Sequence, residues 1–259
     1  MVAEIITQHL NTYKMNNETI ELLKDDNNYY GEFGRNYLSN SDIGILLRNP
    51  KQFGVPTEKT LAMLQGNYFH VACLEPHKLK DFPLVDASTR TTNLYKDACK
   101  DRGLDFMLLA KEAEEVDYMV KALRNNRDLS KLVWDNGCKY ETPGIGEIMN
   151  LPFKGKADII NGDTIYDLKT TTSLDDFKYS AKKYNYDSQA AIYQQIFGKK
   201  MAFIVIEKGS NRLGFFQCSD EFLEAGWTKV AKGVEIYNNF FGVNSYLDVN
   251  QYYINSYLF

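Results

Sequence analysis

Two aspartates and a lysine lie close together within one β-rich stretch of the chain. Asp158 precedes an Asn-Gly pair, Asp167 follows it, and Lys169 stands two residues after Asp167. Carboxylate oxygens are the ligands that hard divalent ions such as Mg²⁺ prefer. An ammonium group beside such an ion can orient a water molecule and stabilise charge on a phosphate. These residue types are therefore suited to metal-assisted hydrolysis of a phosphate ester.

The residues around this trio predict a β-hairpin that positions it. Asn161-Gly162 separates two β-rich runs, which is a strong signal for a tight turn. Antiparallel strands joined there bring Asp158 and Asp167 to the same end of the sheet, and Lys169 shares a face with Asp167. The flanking residues are apolar or threonine, so the charges are expected in a buried strand, where they must pair or bind metal. Spacing alone leaves open a solvated sheet face, on which alternating Asp and Lys are common.

The rest of the chain predicts helices before and after this hairpin. Periodicity, caps and breakers predict helices over residues 17–26, 40–49, 57–75, 105–124, 174–197 and 221–241. The stretch Tyr184 to Tyr186 is a candidate break in the fifth of these. Strands are predicted over residues 139–141, 147–160, 164–169, 201–207 and 212–218, with a turn at Pro143-Gly144. We therefore expect an α/β fold in which helices flank a central mixed sheet, with a helical N-terminal part.

Composition excludes several classes of protein. The 259 residues are 44% hydrophobic, which argues against a disordered or fibrous chain. The four cysteines, scattered along the chain, never form a CxxC pair and argue against a disulfide framework or a cysteine-rich zinc site. The net charge of −4 argues against a protein that coats nucleic acid by bulk charge, although a local basic cleft is compatible with it. No apolar run suits a membrane helix or signal peptide, so we expect a soluble intracellular protein.

Two motifs around the trio resemble those of a known nuclease superfamily. Asp158 followed by Asp167-Leu168-Lys169-Thr170 resembles the split Asp…(Asp/Glu)-x-Lys signature of PD-(D/E)xK nucleases. Downstream, Gln189 and Tyr193 are similar to the Gln-x-x-x-Tyr that follows this core in RecB-like nucleases. The second acidic residue is Asp167 where Glu is common. Relatives often carry a basic residue directly before the first Asp, where this chain has Ala157, with Lys156 one step earlier. This departure argues against a phosphate contact at that point but not against the metal site.

Two upstream motifs resemble a narrower group. Gly66 to His70, followed by Leu74-Glu75-Pro76, is similar to the Gly-x-x-x-His…Leu-Glu-Pro of RecE-type exonucleases (exonuclease VIII). Leu38 to Ser41 with Asn49-Pro50 resembles the N-terminal Ser-x-Ser…Pro element of the same group. The four motifs occur in the family's order and cover about residues 37 to 200. The resemblance implies one nuclease domain over residues 1–259, with an N-terminal extension (1–36), a nuclease core (37–241) and a C-terminal tail (242–259).

The resemblance also implies roles for individual residues. Asp158, Asp167 and the backbone carbonyl of Leu168 would ligate Mg²⁺ or Mn²⁺, with His70 beside the metal. Lys169 would position the nucleophilic water. Gln189 and Tyr193 would complete the catalytic set, one helical turn apart and facing the DNA backbone.

Other residues are weaker candidates. Glu141 matches a carboxylate that lies near the metals in the family, and an exposed strand glutamate is the alternative. Positive charge and aromatic rings occur together just before Gln189, a composition used for binding nucleic-acid strands. A solvated amphipathic face would have the same composition. The candidate DNA-binding residues there are Lys178, Lys182, Lys183 and Tyr184.

The implied activity is metal-dependent 5′→3′ digestion of one strand from double-stranded DNA ends, leaving a 3′ overhang for recombination. The resemblance further implies a ring-like homo-oligomer (trimer or tetramer), a single-strand annealing recombinase as candidate partner, and a phage- or prophage-encoded protein in bacterial cytoplasm. Two alternatives remain open: a RecB-like endonuclease, and a non-catalytic DNA-binding or assembly module of the same fold. The intact Asp158, Asp167 and Lys169 argue against the non-catalytic module.

Overall fold

The computed structural model describes residues 17–255, so parts of the predicted N-terminal extension and C-terminal tail lie outside the described residues. The helices are α1 (described over residues 17–22), α2 (Asp26–Tyr30), α3 (Asn40–Arg48), α4 (Leu61–Leu74), α5 (Asn93–Arg102), α6 (Ala110–Asn125), α7 (Arg127–Trp134), α8 (Phe177–Lys183), α9 (Tyr186–Phe197) and α10 (Asp220–Phe240). The strands are β1 (Leu84–Val85), β2 (Leu108–Leu109), β3 (Lys139–Ile148), β4 (Leu151–Asn161), β5 (Thr164–Thr171), β6 (Lys200–Glu207) and β7 (Leu213–Gln217). Short 3-10 helices span Gly34–Asn36, Pro50–Gln52, Pro76–Asp81 and Val249–Gln251.

A five-stranded mixed sheet forms the centre of the fold, in the order β3-β4-β5-β6-β7. β3, β4 and β5 are antiparallel neighbours, β6 runs parallel to β5, and β7 is antiparallel to β6. The parallel pair requires a crossover, which α8 and α9 supply. The predicted α/β fold with a mixed sheet between helices is confirmed.

Helices cover both faces of the sheet. Alternating residues of β6 divide between two cores: Ile204 and Ile206 pack with α4 and α6, whereas Phe203 and Val205 pack with α3, α9 and α10. This period of two on a strand buried on both faces explains why β6 is apolar almost throughout. Among residues 17–255, no helix is both long enough and apolar enough to cross a membrane.

The hairpin turns agree with the sequence in one place and differ in another. The predicted turn at Asn161-Gly162 is confirmed, with Gly162 in the left-handed region at φ 58°. The predicted strand over 147–160 is wrong, because the chain reverses at Met149 and Asn150, whose φ angles are 51° and 63°. Two consecutive positive φ angles are typical of the tight turns that match strand twist. The turn predicted at Pro143-Gly144 lies instead inside β3, an edge strand, where proline is tolerated.

Several helix boundaries also differ from the sequence expectation. The helix predicted over 57–75 begins at Leu61, because the Thr60 side chain caps it by accepting from the Met63 N–H. The helix predicted over 17–26 ends at residue 22, and α2 follows where a polar loop was expected. The helix predicted over 105–124 begins only at Ala110, after the short strand β2, and the sequence did not predict α5 or α7. The candidate break near Tyr184 is confirmed: Asn185, with φ 60°, separates α8 from α9.

Helix α10 packs closely on two other helices through its glycines. A Cβ atom at Gly226 would lie 2.2 Å from the backbone oxygen of Asp187, at the start of α9. A Cβ atom at Gly233 would lie 2.8 Å from a methyl carbon of Ile43 on α3. Backbone can approach this closely only where the residue lacks a side chain. These contacts fix α3 and α9 against each other on one face of the sheet.

Candidate active site

The candidate site lies where β4 and β5 separate. The two strands pair only from Ile159 to Asn161 on β4 and from Thr164 to Tyr166 on β5. Beyond this point Asp158 and Asp167 stand on diverging strands, and the Asp158 Oδ2 accepts a hydrogen bond of 2.8 Å from the Leu168 N–H. The Asp158 carboxylate thus accepts from a backbone N–H that has no strand partner at the fork. A cleft of about 1160 Å³ opens there.

His70 on α4 connects the two strands at this fork. Its Nε2 lies 3.0 Å from the carbonyl oxygen of Leu168, and its Nδ1 lies 3.4 Å from the Asp158 Oδ2. A carbonyl oxygen only accepts, so the contact assigns the hydrogen to Nε2. In the neutral ring the Nδ1 lone pair then faces the carboxylate oxygen. Two acceptor atoms facing each other favour a shared cation between them.

Glu141 on β3 completes a set of three ligands. One ligand atom each from His70, Glu141 and Asp158 lies within 4.8 Å of the others, an arrangement that could hold a metal ion. Glu141 adopts φ 45°, although it stands inside a strand between the paired residues Tyr140 and Thr142. A non-glycine residue in this region is uncommon and concentrates at functional sites.

Asp167 and Lys169 form a buried ion pair beside these ligands. The Lys169 Nζ lies 2.5 Å from the Asp167 Oδ2, and the Gln189 Nε2 donates to the Asp167 Oδ1 at 2.5 Å. Asp167 is 1% exposed, so these two partners compensate the burial of its charge. Asp167 lies outside the set of three ligands, and its oxygens instead hold the lysine and the glutamine.

Gln189 and Tyr193 project from α9 into the base of the cleft. Both are 9% exposed, and the Tyr193 hydroxyl accepts from the Lys156 N–H at 3.3 Å. The ring of Tyr193 fills the space above Gly155, where a Cβ atom would lie only 2.8 Å away. The structure therefore places these two residues against β4 and β5 and not on an exposed helix face. Tyr186, one turn earlier, covers the Lys169 ammonium with its ring at 4.7 Å.

Burial and mutual repulsion shift the carboxylates toward their protonated forms. Burial, with the neighbouring Asp158 charge second, raises the pKa of Glu141 to about 8. Burial, with the neighbouring Asp167 charge second, raises the pKa of Asp158 to about 6. Burial raises both pKa values more than the nearby charge of Lys156 (on Glu141) or Lys169 (on Asp158) lowers them. A divalent cation bound by these oxygens and an imidazole would favour the ionised carboxylates.

The predicted DNA-binding residues divide into two groups. Tyr184 is 58% exposed and lines the cleft close to Lys169 and Tyr186. Lys178, Lys182 and Lys183 are exposed on α8 but do not line the cleft. Lys183 lies 5.7 Å from the ring of Tyr184. The structure therefore brings only Tyr184 of this group to the candidate site.

The sequence analysis missed a second group of cleft residues. Lys154 and Lys156 alternate with Asp158 along β4, are 7% and 9% exposed, and line the same cleft. Asp26 and Tyr30 of α2, which come much earlier in the sequence, contact Lys156. The alternation of Lys154, Lys156 and Asp158 was the available signal, whereas nothing local in the sequence connects α2 with β4.

Comparison with known proteins assigns the chain to a protein family. The model of the PDDEXK-like domain of unknown function (DUF3799) matches residues 48–241, which include every predicted catalytic residue. The chain belongs to this family. The DUF3799 match begins after α2, so Asp26 and Tyr30 lie outside it. No curated protein sequence matches the chain.

One solved structure shares the fold of this DUF3799 chain, and a second is similar over part of its length. A putative exonuclease from Eubacterium rectale superposes with a TM-score of 0.61 at 18% identity, covering 90% of this chain and 95% of that one. A phage-related exonuclease from Haemophilus somnus 129PT covers 78% of this chain and 94% of its own, with 15% identity and a TM-score of 0.35. The first likeness shows that the two chains share a fold.

Proposed function

We propose that this protein is a metal-dependent exonuclease of the RecE type, which digests one strand of double-stranded DNA 5′→3′ from its ends. The observation that carries this proposal is the fork between β4 and β5, where three metal-binding side chains meet the Asp167–Lys169 pair in one cleft. The exonuclease description of the Eubacterium rectale neighbour supports the choice of activity. The 3′ overhang would serve recombination by single-strand annealing.

The residues at the fork fit a divalent ion. His70, Glu141 and Asp158 would hold Mg²⁺ or Mn²⁺, with Asp167 and the Leu168 carbonyl beside them. When bound, such an ion supplies positive charge for the phosphate and lowers the pKa of water. Oxygen ligands favour Mg²⁺, and the imidazole of His70 makes Mn²⁺ equally suitable.

Lys169 acts as a hydrogen-bond donor in this proposal. Although burial alone would lower the pKa of Lys169, the charges of Asp167 and Asp158 outweigh it and raise the pKa above its usual value. The side chain therefore stays an ammonium and cannot serve as a proton acceptor. Held by Asp167 and covered by Tyr186, it can orient the attacking water and stabilise negative charge on the phosphate. Gln189 fixes Asp167 and is a positioning residue.

Cleavage from ends, polarity and assembly belong to the same proposal. A ring-like trimer or tetramer around duplex DNA would confine the enzyme to ends, and an annealing recombinase would receive the overhang. The resemblance of the motifs from Leu38 to Tyr193 supports these features.

The test compares two substrates with one preparation of the protein. A linear duplex labelled at one 5′ end and a closed circular duplex are incubated with Mg²⁺ or with EDTA. We expect Mg²⁺-dependent loss of the linear duplex only, with early release of the 5′ label as mononucleotide. Cleavage of the circle would replace the proposal with an endonuclease, and binding of both substrates without cleavage would favour a non-catalytic module.

Metal affinity is expected to rise steeply with pH between about 6 and 8. Asp158 and Glu141, with pKa values raised to about 6 and about 8, must lose their protons to bind a cation. Titration calorimetry with Mn²⁺ at pH 7 should therefore show release of about one proton per ion, measured from the dependence of heat on buffer ionisation enthalpy.

Glu141→Gln provides the matched control for this titration. The variant removes the group with the higher pKa, so proton release at pH 7 should fall toward zero and the affinity should weaken. Glu147→Gln, on the same strand but outside the ligand set, should leave both quantities unchanged. Proton release that persists in Glu141→Gln would contradict this assignment.

A further inference from the structure

A carboxylate of α2 sits between two ammonium groups of the cleft. The Asp26 Oδ1 lies 2.5 Å from the Lys156 Nζ, and the Asp26 Oδ2 lies 3.9 Å from the Lys78 Nζ. All three residues line the cleft that contains Asp158 and Lys169. The two lysines form an arrangement that can bind an anion, and the Asp26 carboxylate is the anion that occupies it.

The two partners of this contact differ in how firmly they are held. The Lys156 side chain is 8% exposed and packs under the rings of Tyr29 and Tyr30, at 4.4 and 5.3 Å. The Asp26 side chain is 58% exposed and stands in the first turn of a five-residue helix. Rotation of the Asp26 side chain would take the carboxylate away from the Lys156 ammonium without moving the helix. A buried ammonium left without an anion is costly, so another anion would take this place.

Lys156 is placed to reach a phosphate near the metal ligands. It stands two residues before Asp158 on β4, so their side chains share a face about 6.8 Å apart along the strand. That separation resembles the spacing of neighbouring phosphates on a nucleic-acid strand. Lys154, one further step along the same face, is already engaged by the Tyr29 carbonyl at 2.5 Å and anchors the segment that carries Asp26.

We propose that Lys156 and Lys78 form a phosphate subsite beside the metal ligands, and that Asp26 occupies this subsite until a nucleic-acid phosphate displaces it. The proposal rests on the proposed function, since a phosphate must enter the cleft. Asp26 is tethered and competes with the incoming phosphate, so it weakens the binding of every strand whose phosphate enters the subsite.

A double-mutant cycle tests the subsite by binding alone. All proteins carry Lys169→Ala, and fluorescence anisotropy measures their affinity for a short labelled duplex in Mg²⁺. We expect Asp26→Asn to tighten binding by about three- to tenfold, because the competing carboxylate is gone. Lys156→Gln should weaken binding and lower the slope of log affinity against log salt by about one. In the Lys156→Gln background, Asp26→Asn should change the affinity less than about twofold.

Matched variants separate displacement from a general charge effect. Glu32→Gln removes the same charge from the same segment, and Glu32 forms no ion pair within residues 17–255, so it should leave the affinity nearly unchanged. Lys78→Gln, in which the exposed lysine is replaced, supplies a second cycle if Lys156→Gln lowers the melting temperature. Equal tightening by Glu32→Gln, or tightening by Asp26→Asn that survives removal of Lys156, would overturn the proposal.

Two further arms identify the phosphate and separate this proposal from the nuclease assignment. A gain confined to 5′-phosphorylated duplex would assign the subsite to a terminal phosphate, and an equal gain with 5′-hydroxyl duplex to an internal phosphodiester. The cycle needs no cleavage, so it can succeed in a protein that cuts neither linear nor circular DNA. Conversely, a protein that cuts DNA but shows no coupling between Asp26 and Lys156 would retain the proposed function and lose the subsite.

Discussion

Lys169→Ala is expected to lower the rate of duplex cleavage by about 10²–10⁴-fold while leaving metal binding intact. The ammonium is buried at 18% side-chain exposure and held by Asp167 and Tyr186, so no other lysine of the cleft can replace it without rebuilding the pair. The variant also leaves the Asp167 Oδ2 without its cation. Single-turnover cleavage of the linear duplex in saturating Mg²⁺ measures this effect directly.

A control variant and a metal titration test whether the loss of rate is specific to the Lys169 ammonium. Lys121→Ala removes an exposed lysine on α6 that does not line the cleft, so this variant should retain full activity. Mn²⁺ titration of Lys169→Ala should show affinity close to that of the wild type, because Lys169 is not in the ligand set. If Lys169→Ala lost less than about tenfold in rate, the role given to its ammonium would be wrong.

Asp158→Asn is expected to lower the cleavage rate by about 10³-fold and yet not to destabilise the metal-free protein at pH 8. Burial and the Asp167 charge raise the pKa of Asp158 to about 6, above its value in an unfolded chain. A group with a raised pKa stabilises the fold below its unfolded pKa, and that stability is lost as the pH rises through 6. At pH 8 the ionised carboxylate therefore costs on the order of 3 kcal/mol. A neutral amide avoids this cost, and its oxygen can still accept from Leu168 N–H.

Measurements of the melting temperature and of the cleavage rate test both effects of Asp158→Asn. In EDTA at pH 8, Asp158→Asn should melt at or above the wild-type temperature, whereas its cleavage rate should fall by about 10³-fold. Mn²⁺ should raise the melting temperature of the wild type and have little effect on the variant. Asp163→Asn, at the exposed turn of the same hairpin, is the control and should change none of these quantities. A large drop in melting temperature for Asp158→Asn would assign Asp158 a structural role.

Local patterns predicted the core of the fold where backbone chemistry is decisive. The Asn161-Gly162 turn could be found because Gly162 supplies a positive φ, and the apolar β6 could be found because the strand is buried on both faces. The turn at Met149 and Asn150 could not, since methionine is rare in turns, Asn150 has no glycine beside it, and Pro143-Gly144 gave a competing signal. Helix α5 is strongly polar and lacks the apolar stripe on which helix prediction depends.

Local sequence patterns also predicted only part of the candidate site. Asp158, Asp167 and Lys169 lie on one hairpin, so strand spacing was enough to bring them together. Glu141 was a candidate only through the family resemblance, and its unusual φ of 45° inside β3 is encoded by no local pattern. The pair of Asp26 and Lys156 joins residues 130 positions apart and forms only in the folded chain.

The close packing of α10 on α3 and α9 also has a consequence for synthesis of the protein. Gln189 and Tyr193 are carried by α9, whose first turn rests against Gly226. A ribosome-bound chain that has emerged only as far as the end of α9 therefore still lacks the helix that packs α9 against the sheet. The candidate cleft is therefore completed late in synthesis, after α10 has emerged from the ribosome and can pack on α9 and α3.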